Sequence, residues 1–248
     1  MYGFALEGRK HSIETLLKVS GRILYIAAPM GASYTFSASI FVAGWLASHV
    51  PGENNKNLAI SNLIMTLMSA LVSIAEAPLF SINIYTNIRR GQLEAAESQG
   101  ELQDNGRLRE DISEVLKAGI MLDAPNIILP LLAMYFSRWL LVDVFGYDSD
   151  IGEGVQAFFR PYAFGLPAMA LMRMPIEQVL FSYEQQLAVM SLALSSFGLG
   201  VGLSYWFCFG SRAVAEMGLR GVAYGLLTEA YITPVLFGAL LLLNKKLK

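Results

Sequence analysis

Between Ile23 and Ser48 the chain runs 26 residues without a charged side chain, and between Leu187 and Ser211 it does so again for 25. A helix rises 1.5 Å per residue, so roughly 20 residues cross the ~30 Å hydrocarbon core of a bilayer. Either run is long enough, and a helix in the core of a soluble protein seldom stays uncharged for that length. The whole composition leans the same way: 54% of residues are apolar and only 15% charged, against about half and about a quarter in ordinary globular domains. These features predict an all-α integral membrane protein.

Boundaries fall where charge and turn-forming residues return. They predict a single six-helix membrane domain over 1–248, with spans near 23–48, 58–88, 118–142, 155–181, 187–211 and 221–244. The first run is too long for the apolar core of a signal peptide and lacks a convincing cleavage site, so it is read as a retained span. Pro51-Gly52 and the polar residues to Asn57 break the helix and force a hairpin. The linker 89–117, rich in Glu, Gln and Arg, is read as solvated and partly helical, with Asp111-Ile112-Ser113-Glu114 leading into the third span.

Loop charge orients the bundle. Taking alternate sides, thirteen of the 18 Lys and Arg residues fall on one side and five on the other, the five being Lys56, Arg138, Arg160, Arg212 and Arg220. The positive-inside rule then puts both termini and the linker 89–117 in the cytoplasm, across an inner membrane. The opposite loop, 143–154, holds Asp143, Asp148, Asp150 and Glu153 without a base. Trp139, Tyr147 and Tyr162 flank it, as interfacial aromatic side chains do or as chance allows in an aromatic-rich chain. The net charge of −2 excludes a general affinity for nucleic acid; lipids are the implied surroundings.

Ionisable groups at membrane depth are the functional pointers, since each costs ~2.5 to 3.5 kcal/mol at a helix centre. Glu76 and Glu229 are the deeper pair; Asp123 lies early in the third span, and Arg173 and Glu177 in the cytoplasmic half of the fourth. A carboxyl in an apolar bundle can exchange a proton or hold Na⁺, or it can be structural, bonded to a hydroxyl on the next helix. The i, i+4 spacing of Arg173 and Glu177 reads as a local ion pair near the cytoplasmic interface. Prolines at 29, 78, 125, 130, 167, 175 and 234 put at least one in every span but the fifth and predict kinks. Gly198, Gly200 and Gly202, with Ser191, Ser195 and Ser196, read as a small-residue packing face.

Enzyme chemistry finds no footing. The sequence has no phosphate-binding loop, no H-E-x-x-H and no G-x-S-x-G. His11 and His49 lie outside the spans, and Cys208, the only cysteine, allows neither an intrachain disulfide nor a cysteine metal cluster.

The second half carries a family resemblance. Pro29 sits a short way into span one. Span four opens Arg160-Pro161-Tyr162-Ala163-Phe164-Gly165-Leu166-Pro167; a turn near Gln185-Gln186 leads to a span closing at Phe207-Cys208-Phe209-Gly210. Met217-Gly218-Leu219-Arg220-Gly221-Val222-Ala223-Tyr224-Gly225 comes next. This pattern resembles the first half of the multidrug and toxic compound extrusion transporters, a group related to lipid-oligosaccharide flippases. The resemblance implies a six-helix lobe that pairs with a second lobe around a cavity and exports small organic cations against an inward H⁺ or Na⁺ gradient, needing no other cofactor. Those transporters have about twelve spans, so the resemblance implies a homodimer or a partner lobe. Many also carry a coupling-ion Asp late in span one, where Phe41-Val42-Ala43-Gly44 has none. These departures leave room for two other readings: a non-transporting lobe acting as scaffold or subunit, and a lipid-linked oligosaccharide flippase, whose cavity would be basic.

Overall fold

Long runs of good helix formers with few breakers produce helix almost everywhere, and no strand occurs among the described residues. The structure is a computed structural model that describes residues 39–50, 54–98, 105–183, 185–210 and 215–243, with positions 18–21, 24, 27 and 31. Most of the first expected span, Pro29, His11, the Pro51-Gly52 turn, Arg212 and the C-terminal lysines lie outside the described residues.

The main helices are α1 (Ser39–Ser48), α2 (Asn54–Glu76), α3 (Phe80–Ser98), α4 (Asn105–Tyr135), α5 (Ser149–Tyr162), α6 (Met174–Ser182), α7 (Gln186–Phe209) and α8 (Leu219–Leu243). A 3-10 turn, Ala77–Leu79, joins α2 to α3 at Pro78. The helices from α2 to α3 thus form one long path, and four stretches are long and apolar enough to cross a membrane: Lys56–Gln92, Ser113–Tyr135, Gln186–Phe209 and Leu219–Leu243. Their outward faces are apolar: Met121, Leu129, Val235 and Leu242 are 76%, 68%, 66% and 75% exposed. A continuous apolar exterior on this scale is at home in lipid or against another apolar surface.

Six spans are expected, and among the described residues four helices meet the requirement. Of the first, only Ser39–Ser48 is described as continuous helix. The fourth, expected over 155–181, is broken: α5 ends at Tyr162, a 3-10 turn spans Ala163–Gly165 and a π turn spans Ala168–Arg173 before α6. Pro161, Pro167 and Pro175 each lack the N–H that would continue the ladder, and each ring crowds the carbonyl four residues earlier. The chain relieves this by tightening and then widening its turns. Pro125, Pro130 and Pro234, by contrast, sit within unbroken α4 and α8.

One face of α5 (Val155, Phe158, Phe159, Tyr162) is fully buried, with the i, i+3, i+4, i+7 spacing of an inward stripe. Tyr162 therefore does not mark a membrane interface. Its ring stacks on Phe158 and its hydroxyl donates to the Met169 sulfur at 3.0 Å. Trp139 and Tyr147 remain exposed. The acidic loop beside them is matched by bases from other helices: Lys56 Nζ lies 3.0 Å from Asp150 and Arg138 Nε 3.5 Å from Glu153. Asp148 caps α5 by accepting from the Asp150 N–H at 3.2 Å.

The tightest contact in the fold is between α7 and α8. A methyl at Gly221 would overlap the Phe207 and Cys208 backbone, and one at Gly225 the Ser204 backbone. The Ser204 hydroxyl donates across this seam to the Val222 carbonyl at 3.1 Å. The loop returns through Gly210 and Gly218, both at positive φ, and the Met217 and Gly218 N–H groups cap the last carbonyls of α7. Of the expected small-residue face of α7, Ser196 and Gly200 are buried, whereas Gly198 and Gly202 meet nothing within 4 Å.

Candidate functional site: a buried charge cluster

The π turn ahead of Pro175 decides where Arg173 points. A π turn adds a residue to the helical repeat, rotating the chain beyond it by about 100° relative to an α register. Arg173, its last residue, is 3% exposed, and Glu177 one turn later is 1% exposed. Arg173 Nε lies 3.4 Å from Glu177 Oε2, and Nη1 lies 3.8 Å from Glu229 Oε1 on α8. The guanidinium also stands over the Phe237 ring, 5.7 Å from its centre. Glu229, Thr233 and Phe237 recur every four residues and are all buried, so one stripe of α8 faces this arginine.

Gly200 explains how a carboxylate fits there. A Cβ at that position would sit 3.0 Å from Glu229 Oε2 and 3.3 Å from its Cγ. The bare glycine leaves the space that the Glu229 head occupies. Glu76 is half-buried at the end of α2, beside the break at Pro78, and lies within electrostatic reach of Arg173, Glu177 and Asp123. Asp123 is 0% exposed and lies in the second half of α4, which begins well ahead of the expected third span.

All five residues singled out in the sequence thus belong to one neighbourhood. The expected pair of Arg173 and Glu177 forms; both side chains are buried within the protein, and Glu229 joins them. Glu76 and Glu229 differ in kind, since Glu229 faces a cation and Glu76 sits at a helix break. Among the described residues Glu177, Glu229 and Glu76 lie within electrostatic reach of the Arg173 guanidinium, and Asp123 joins them through Glu76. Both Asp123 oxygens and the hydroxyls of Ser196 and Thr233 are buried and make no hydrogen bond among the described residues. Ser196 lies one helical turn from Gly200, and Thr233 one turn from Glu229. Among the described residues no three His, Cys, Asp or Glu side chains are gathered closely enough to hold a metal ion.

Sequence reasoning missed Thr233, Phe237 and the particular role of Gly200. It also missed a signal in plain view: Glu76-Ala77-Pro78, Asp123-Ala124-Pro125 and Arg173-Met174-Pro175 each place a charge two residues before a proline.

Fold and site together define a class: a helical membrane protein whose interior carries a connected, mostly acidic charge cluster. Compared with known proteins, the chain matches no family profile and no curated protein.

Proposed function

We propose that this chain is a lobe of a membrane transporter of the multidrug and toxic compound extrusion type. It resides in the inner membrane with both termini cytoplasmic, pairs with a second lobe, a second copy or a partner, and exports small organic cations in exchange for H⁺ or Na⁺. The observation that carries this reading is the surplus of carboxyls over cations inside the bundle. Among the described residues three buried carboxyls, Asp123, Glu177 and Glu229, accompany one buried cation, Arg173, and a bare surplus of up to two buried negative charges is costly to sustain. Protons or small cations that accompany it would make the cluster a site for ion coupling. Because the carboxyls are strung along several helices rather than gathered, protons are the simpler partners. Broken helices support the same reading, since transporters place irregular backbone beside their ion sites, and here Glu76 and Arg173 each adjoin such a break.

The test is transport. Reconstituted in liposomes, the full chain should move a fluorescent organic cation when a pH gradient is imposed, and Asp123→Asn or Glu76→Gln should abolish the dependence on that gradient. A folded protein that moves no such cation under either a pH or a Na⁺ gradient would leave the cluster as structure only.

A further inference from the structure

Away from the acidic cluster, a cleft of about 610 Å³ is lined by Arg138, Arg160 and Arg220, with Glu153, Phe164 and Tyr224 among its other walls. Three separate elements supply the arginines: the turn after α4, the end of α5 and the first turn of α8. On the orientation expected from loop charge, the outer side has five basic residues, and three of them converge here. That concentration runs against the rule that keeps bases off this side, so it calls for a counter-charge.

Glu153 supplies part of one. It lies 3.5 Å from Arg138, whose Nη2 also donates to the Ser149 hydroxyl at 3.3 Å. Arg160 is oriented by a neutral partner: it donates to the Tyr135 hydroxyl at 3.2 Å and lies over that ring at 5.2 Å. Arg220 is exposed and makes no ion pair among the described residues. It is the second residue of α8, where the helix dipole already presents positive charge and a cation is disfavoured. An anion seated between Arg160 and Arg220 would relieve both, and arginine forks match the oxygens of phosphate.

Beside the cleft the surface turns apolar. Phe164, Tyr224 and Tyr231 are 59%, 44% and 51% exposed, and the Tyr231 hydroxyl donates to the Phe164 carbonyl at 2.9 Å, holding this flank in place. Further along α8, Val235 and Leu242 continue the exposed apolar line. We propose that the cleft binds a phosphate-bearing anion, specifically the headgroup of an anionic lipid whose chains lie along this strip of α8. The site is separate from the buried carboxyls and stands whether or not the chain transports cations.

Binding to the purified full-length chain in neutral detergent tests the proposal, using dioctanoyl phosphatidic acid, dioctanoylglycerol and inorganic phosphate as probes in titration calorimetry. Phosphatidic acid should bind saturably, at least tenfold tighter than dioctanoylglycerol, and more weakly as NaCl is raised. The double variant Arg160→Gln/Arg220→Gln, with its helix content checked by circular dichroism, should lose about tenfold or more in that affinity. Arg220→Gln alone, at an exposed position, should lose severalfold and serves if the double variant does not fold. Inorganic phosphate that competes and binds as tightly assigns the site to soluble phosphate compounds and overturns the lipid assignment; phosphate that binds far more weakly supports the lipid. Equal affinity for phosphatidic acid and dioctanoylglycerol, or unchanged affinity in folded arginine variants, overturns the proposal.

Discussion

Arg173 holds the interior together because it is the one cation, among the described residues, facing Glu177 and Glu229. Breaking a buried pair by removing one partner is strongly destabilising, at about 3 to 5 kcal/mol, since the other charge is left behind. Arg173→Met removes the cation that faces carboxyls on two helices, whereas Glu229→Gln removes one carboxyl and leaves Arg173 its Glu177. The thermal unfolding temperature should therefore fall much further for Arg173→Met than for Glu229→Gln. The measurement has a built-in reporter: Cys208 is the only cysteine and is buried, so a thiol-reactive dye added during heating labels the chain as it opens. At this scale the sequence reveals which groups to watch, because ionisable side chains stand out in apolar runs. It hides their pairing. Spacing along the chain gives Arg173 only its i+4 neighbour, since it cannot show that α8 turns Glu229 toward the guanidinium or that Gly200 clears the room.

Glycines that look alike in the sequence do different work at the level of helices. Gly225→Ala would drive a methyl into the Ser204 backbone, which cannot move aside as a flexible side chain can. Overpacking of this kind costs typically about 1 to 3 kcal/mol. Gly202→Ala meets open space and should be neutral or stabilising by up to about 1 kcal/mol, the helix-propensity difference between the two residues. The same dye-monitored melting separates them: the transition drops for Gly225→Ala and holds or rises for Gly202→Ala. Helices α7 and α8 are legible because uncharged runs bounded by charge and glycine leave few alternatives. The fourth span is less so. Its three prolines predict interruption, but the sequence does not tell which becomes a 3-10 turn and which a π turn.

For the molecule as a whole, the expected orientation rests on the thirteen-to-five split of Lys and Arg, and it makes a prediction about sidedness. In a Cys208→Ala background, a membrane-impermeant thiol reagent applied to intact cells should label Asp150→Cys, at the exposed end carrying the Lys56 pair. It should spare Gln92→Cys, exposed at the opposite end of the long α2–α3 path, until the cells are opened. The reverse pattern would invert the topology and place the arginine-lined cleft in the cytoplasm. The membrane character is plain from hydropathy; the number of spans is not, because hydropathy does not distinguish one continuous helix from a path interrupted by proline.

The backbone-to-backbone fit of Gly221 and Gly225 against α7 carries a mechanical consequence. Surfaces separated by long side chains can slide past each other by changing rotamers, but a seam without side chains between its backbones has no such play. At Gly221 and Gly225 the α7–α8 seam thus resists sliding, which keeps Glu229 of α8 beside Gly200 of α7. The helical ladder departs from α geometry at 77–79 and within 163–173. Glu76 adjoins the first of these segments and Arg173 closes the second, so two of the clustered charges stand where the backbone is already irregular. Those are the places to look for bending if the proposed transport occurs.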